Sequence, residues 1–265
     1  MIFRREMKRN LKSLIIWSLI LSGLVIMTLS LYPQMAADQQ AINEMLEVYP
    51  EPLKKAFGMD KVNFGSLLGF YAIQVYMMTT LVGSIYAAIM ASGILVKEES
   101  EKTIEFLLSK PVNRSEIIMQ KLGTVVTNLL VFNIILTSTS LLGFQFADGA
   151  EYSGKVFALL AFATFLLHLT IASVSFLLSA LMRKTRNIVS LSLGFVFISY
   201  FLHITAGVAE KFEFLEYVSF FKYVDAGEII VNESIRVLFI IIMLAVIAVC
   251  ISAAFLYYEK KDIAV

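Results

Sequence analysis

Few residues of this chain are equipped for chemistry, and their placement decides which chemistries survive. Glu98 and Glu99 form an adjacent carboxylate pair at the end of a long apolar run. Such a pair could serve acid–base proteolysis inside a membrane. The arginine expected four residues after the second glutamate is instead Thr103, and no Gly-x-Ser-x-Gly nucleophile turn occurs. His168 and His203 lie in runs that hold no Asp, Glu, Lys or Arg. Each could relay a proton or touch a substrate, although a neutral imidazole bonded to a neighbouring helix is the simpler state. Cys250 is the single cysteine, so one chain offers neither a disulfide nor a cysteine metal cluster. A G-x-x-x-x-G-K-[ST] phosphate loop is missing too, so if ATP drives this chain, another polypeptide hydrolyses it.

The elements holding these residues follow from composition. Of 265 residues, 58% are hydrophobic and 16% charged, with a mean hydropathy of +0.79. A soluble domain is roughly 45 to 50% apolar and about 25% charged, so a soluble enzyme is nearly excluded. The net charge of +1 gives no reason to expect a nucleic-acid partner. Six uncharged stretches each contain the ~20 apolar residues that a helix needs to cross ~30 Å of hydrocarbon. They predict spans at approximately 13–32, 66–96, 122–146, 156–182, 188–208 and 237–258, in one transmembrane domain covering 1–265. Continuous rather than alternating hydrophobicity favours helices over a β-barrel. The expected fold is an all-α polytopic membrane protein. The first run is longer than a signal-peptide core and lacks a clear A-x-A cleavage site, so it is expected to be a retained helix.

Orientation follows from the connecting segments. With the N-terminus cytoplasmic, inside segments carry 15 Lys and Arg against 7 outside. The positive-inside rule then places both termini in the cytoplasm of a multi-pass cell-membrane protein.

The spans offer uncharged polarity. Gly83, Ala87 and Ala91 recur every fourth residue in span 2, beside Ser84, Ala88 and Ser92. Such small-residue stripes allow close helix packing, within the chain or with a second subunit. Gln74 and Tyr76 in span 2, Asn128 and Asn133 in span 3, His168 in span 4 and His203 in span 5 are the candidate pathway residues.

The longest inside loop reads KEESEKTIEFLLSKPVNRSEIIMQK, from Lys97 to Lys121. Ile104, Leu107 and Leu108 fall at i, i+3 and i+4, which predicts a short amphipathic helix from about Glu98 to Ser109. Pro111 ends it. Asn113, with Glu116 three positions later, predicts a capping box opening the helix that becomes span 3. The apolar edge suits either the membrane interface or a groove on a soluble partner.

EKTIEFLLSKPVNRSEIIMQK resembles the loop motif of permease subunits of type-2 ATP-binding cassette (ABC) exporters, through Thr103, Glu105, Leu107, Leu108, Pro111, Arg114, Glu116 and Lys121. Lys102 and Gln120 depart from it, where small residues are usual. The resemblance implies six spans, cytoplasmic ends and a coupling helix between spans 2 and 3. It implies ATPase-coupling residues Glu98, Glu101, Thr103, Ile104, Glu105, Phe106, Leu107, Leu108, Pro111 and Arg114. It also implies two copies of a cytosolic ABC ATPase that bind ATP and Mg, a second permease subunit, identical or homologous, and a bacterial plasma membrane. This chain itself would be non-catalytic, with no cofactor or metal. Uncharged spans suit export of a hydrophobic or amphipathic cargo such as a drug, an antimicrobial or toxin peptide, or a lipid. A secondary transporter using His168 or His203 is the alternative, and an intramembrane enzyme a more distant one.

Two flanking segments agree. Phe3, Met7, Leu11 and Leu14 recur at helical spacing among five basic residues, predicting an N-terminal amphipathic helix at an anionic membrane surface. The last outside loop gathers Phe212, Phe214, Tyr217, Phe220, Phe221 and Tyr223. It is expected to be partly re-entrant or interfacial, with Phe214, Tyr217, Val218 and Phe221 on one helical face.

Overall fold

A computed structural model describes residues 2–38, 44, 47–56, 58–100, 113–147, 149–182, 185–208 and 210–261. Among these, six helices are long and apolar enough to cross a membrane: Ile2–Ala37, Leu67–Ser92, Arg114–Ala147, Gly154–Leu181, Thr185–Val208 and Val237–Lys260. They are spans 1 to 6 below. The described residues contain no strand, and the chain is an all-α polytopic membrane protein.

Hydrogen bonds sort the helix ends onto two faces. Phe3 N donates to Gln120 Oε1, and Arg114 donates to the carbonyl of Lys261, which gathers both ends of the chain at a terminal face. Tyr32 reaches the Gly65 carbonyl and Tyr76 the Val224 carbonyl at the opposite face.

Ile2–Ser30 is one unbroken helix of 29 residues, so the basic amphipathic segment is the opening of span 1 rather than a separate element. Neither Gly nor Pro interrupts it before Gly23. Its start is held against span 3: the Phe3 ring packs on Gly123, and Asn128 Nδ2 donates to Met7 Sδ at 3.0 Å. Glu6 is fully buried there and paired with Arg9 at 3.0 Å. Span 3 opens with an equally long helix, Arg114–Phe144. Farther along, Ser22 bonds Thr139 and Leu29 fills the space beside Gly143. At 1.5 Å per residue each helix rises more than ~40 Å, longer than the hydrocarbon is thick.

Span 2 is irregular. Ser66 caps its first turn through Gly69 N, Tyr71–Tyr76 forms a π-helix, and a regular helix resumes over Met77–Ser92. The rings of Tyr71 and Tyr76 lie 6.5 Å apart, and Tyr71 meets Phe144 and Phe157 edge-on. Span 4 is the central post, with 67% of its most apolar window buried against 22% for span 5. Span 4 claims the small-residue stripe of span 2. A Cβ on Gly83 would come within 2.4 Å of His168 Nε2, and Ala87 and Ala91 are fully buried. That stripe therefore packs within the chain.

Candidate functional sites at the two faces

At the terminal face, residues 97–113 connect spans 2 and 3. Lys97–Ser100 is helical, which places the backbone of Glu98. Glu101, Thr103, Ile104, Glu105, Phe106, Leu107, Leu108 and Pro111 lie outside the described residues. Asn113 is the N-cap of the Arg114–Phe144 helix with extended backbone, but its side chain makes no cap bond. Glu116 accepts from Gln120 Nε2 at 3.0 Å instead, so the expected capping box is not formed.

Around this connection, cations meet helix C-termini. A helix leaves its last carbonyls unpaired and carries partial negative charge there. Spans 2, 4 and 6 all end at this face. Lys121, fully buried, donates to the Ile94 carbonyl just past span 2. Lys261 Nζ donates to the carbonyl of Met182, the C-cap of span 4, at 3.1 Å. Arg114 Nη1 donates to the carbonyls of Glu259 at 3.1 Å and Lys261 at 2.7 Å, closing span 6. Arg114, one of the expected coupling residues, also fastens the end of the last span.

At the opposite face, a broken segment follows span 5: a 3₁₀ stretch Glu210–Val218, then short helices Phe220–Tyr223 and Ala226–Asn232. Ser219 Oγ donates to the Ser199 carbonyl at 2.6 Å, and Phe220 N donates to Ser199 Oγ at 3.2 Å. Tyr76 donates to the Val224 carbonyl at 2.8 Å. Ser199 and Tyr76 each lie about nine residues inside their spans, or ~14 Å by helical rise. The segment therefore dips between spans 2 and 5. Irregular backbone at such depth needs protein partners for its polar groups, and Ser199 and Tyr76 supply them. The expected common face of Phe214, Tyr217, Val218 and Phe221 is not formed. The 3₁₀ winding and the break at Ser219 leave the first three exposed while Phe221 is buried.

Behind this dip lies an ion cluster that composition did not reveal. Lys222, almost wholly buried, meets Glu228 at 2.8 Å. Lys61 lies 3.7 Å from Asp225 and 3.6 Å from Glu228, and Arg236 lies 3.6 Å from Glu228. Asp225 also caps the Ala226–Asn232 helix through Glu228 N at 2.8 Å. Burial alone would push the Asp225 carboxyl up, but Lys61, His203, Lys222 and that N–H together hold it below the usual carboxylate range. The available signal was Asp225, two residues past the aromatic stretch, with Glu228 three positions later, a spacing that opens a helix.

The model of the "ABC-2 family transporter protein" family matches residues 1–263. The chain belongs to that family. It is also 30% identical over 216 residues to the uncharacterized protein YhcI of Bacillus subtilis (strain 168), covering 70% of this chain and 66% of that relative. Membership places this chain among the membrane proteins of the ABC-2 transporter family.

In this ABC-2 chain the six pathway candidates fall in four places. Tyr76 and His203 line one cavity of about 60 Å³ with Thr80, Phe221 and Asp225, beneath the dipping segment. Asn133 and His168 form a buried pair, Oδ1 to Nδ1 at 3.1 Å, between spans 3 and 4. Asn128 is buried near the middle of span 3, against Met7 of span 1. Gln74 is exposed, in a groove with Tyr49, Leu53 and Met59.

Proposed function

We propose that this chain is the permease half of an ATP-driven exporter for a hydrophobic or amphipathic cargo, with its terminal face in the cytoplasm of a bacterial plasma membrane. Two such subunits, identical or homologous, dock two separate ATPase chains, which bind ATP and Mg. The observation that carries this reading is the family match along almost the whole chain, joined to a charged loop between spans 2 and 3 at the terminal face. Residues 98–109 are the proposed coupling helix, with Ile104, Phe106, Leu107 and Leu108 as its apolar contacts.

An exporter of this kind needs a closed outer end, and the dipping segment supports one. Its anchors, Tyr76 and Ser199, come from spans 2 and 5, and the cavity beneath it is lined by Tyr76 and His203. His168 is committed to Asn133 and packed on Gly83, which supports a structural role over proton relay.

Co-purification of an ABC ATPase with the tagged full-length chain, and vanadate-sensitive hydrolysis stimulated by it, test this reading. Leu107→Asp with Leu108→Asp is expected to abolish both assembly and stimulation. Full retention of both would remove residues 98–109 from the coupling surface.

A further inference from the structure

The polar links at the terminal face close on themselves. Span 3 holds span 6 through Arg114, and span 6 holds span 4 through Lys261. Span 4 holds the end of span 2, because Ser179 Oγ accepts from Leu95 N at 3.1 Å. The end of span 2 returns to span 3 through Lys121. Four helix ends are therefore joined in a ring. Residues 97–113 leave this ring just after Ile94 and re-enter it at Arg114, so both ends of the loop are attached to it.

We propose that Lys121, Arg114 and Lys261 are positioning residues of ATP coupling, carrying displacement of the 97–113 loop to spans 4 and 6 as well as to spans 2 and 3. This inference rests on the permease reading above. A loop tethered only by its own chain would load spans 2 and 3 and leave the others to follow through side-chain packing. Bonds from a cation to a carbonyl are stronger than neutral ones. Lys121 is fully buried, where a low dielectric strengthens its charge-assisted bond. The rim therefore moves as one body, and deformation passes to weaker regions of the bundle, as in rigid-body transitions between packed arrangements. The chain's last described residue gains a function in this scheme. Lys261 uses its carbonyl to receive Arg114 and its ammonium to hold span 4.

The test uses the full-length chain with its co-purified ATPase in lipid nanodiscs. Spin labels are placed on exposed positions in a Cys250→Ser background, at Met119 with Tyr257 and at Leu181 with Tyr257. Both distance distributions are expected to be narrow and unchanged between nucleotide-free and ATP–vanadate states. Arg114→Ala with Lys261→Ala should broaden both. Lys261→Ala alone should also lower ATPase stimulation about fivefold or more, within ordinary coupling strengths, without reducing the amount of ATPase bound. Lys121→Arg and Lys261→Arg should retain most of the stimulation. Distances that change on vanadate trapping would overturn the inference. So would a double variant that keeps narrow distributions together with a Lys261→Ala variant that keeps full stimulation. If no ATPase accompanies the native chain, the permease reading fails, while the distribution widths still decide whether the ring exists.

Discussion

Both faces of the molecule bury lysines, and they hold them by opposite means. At the terminal face Lys121 and Lys261 end on backbone carbonyls. At the opposite face Lys222 ends on a carboxylate that also faces Lys61 and Arg236. A carbonyl at a helix end is held in place by the helix, so each terminal-face bond has an acceptor whose position is fixed. A carboxylate shared among three cations permits several arrangements of similar energy. Lys61 stands at 3.6 and 3.7 Å from its two carboxylates, outside hydrogen-bond range. One face is fastened and the other adjustable, as the proposed drive at the first and opening at the second would require.

The sharpest way to break this contrast is Glu228→Ala, which removes the carboxylate nearest the buried Lys222 and shared with Lys61 and Arg236. A loss of about 3–5 kcal/mol is expected, read as a lower unfolding temperature in detergent. A change under about 1 kcal/mol would mean that the cluster is solvated like a surface pair. Lys121→Met should come next, at about 1–3 kcal/mol, since it orphans the Ile94 carbonyl but keeps the apolar stem. If Lys121→Met proved the costlier of the two, the ranking of the faces would invert. Tyr76→Phe removes the hydroxyl that bonds the Val224 carbonyl and meets Thr164, and should lower stability by about 0.5–1.5 kcal/mol. Its clearer signature would be faster amide exchange across residues 219–232.

Acid should distinguish the faces as well. A carboxyl held below its ordinary value contributes stability that is complete above the unfolded value and is lost as pH falls through the folded one. Asp225 is such a group. Exchange at residues 219–232 should therefore accelerate only below about pH 4, while residues 114–121, where the Arg114 and Lys121 bonds end on carbonyls, stay protected. Equal sensitivity of both segments would erase the distinction. The smallest effect is expected at Lys155, which pairs with Glu233 on exposed side chains at 3.3 Å. Lys155→Ala should change stability by no more than about 1 kcal/mol.

The membrane spans were legible because hydrocarbon tolerates so few residue types: an uncharged run such as Leu14 to Ala37 admits hardly any other structure. Ends were harder to read. Span 3 begins at Arg114 although its charge-free run starts only at Leu122, because its opening turns are bonded to the end of span 6 and the start of span 1 rather than immersed in lipid. The loop motif was visible as a pattern of side chains. The ring was not, since its acceptors are the carbonyls of Ile94, Met182, Glu259 and Lys261, and a carbonyl leaves no mark on residue type. Asp225 and Glu228 were hidden for a different reason. They belong to a loop by charge, and only the bonds from Tyr76 and Ser199 show how far that loop reaches inward.

The π-helix of span 2 sets the phase of everything before it. An α-helix advances ~100° per residue, which would put Tyr71 and Tyr76 about 140° apart around the axis. The wider i→i+5 winding brings them toward the same side, one facing Phe144 and Phe157, the other the dipping segment. The anchor at Val224 thus depends on chain length as much as on side-chain identity. Deleting a single residue from Tyr71–Tyr76 would rotate one tyrosine away from its partner while leaving every other residue type in place.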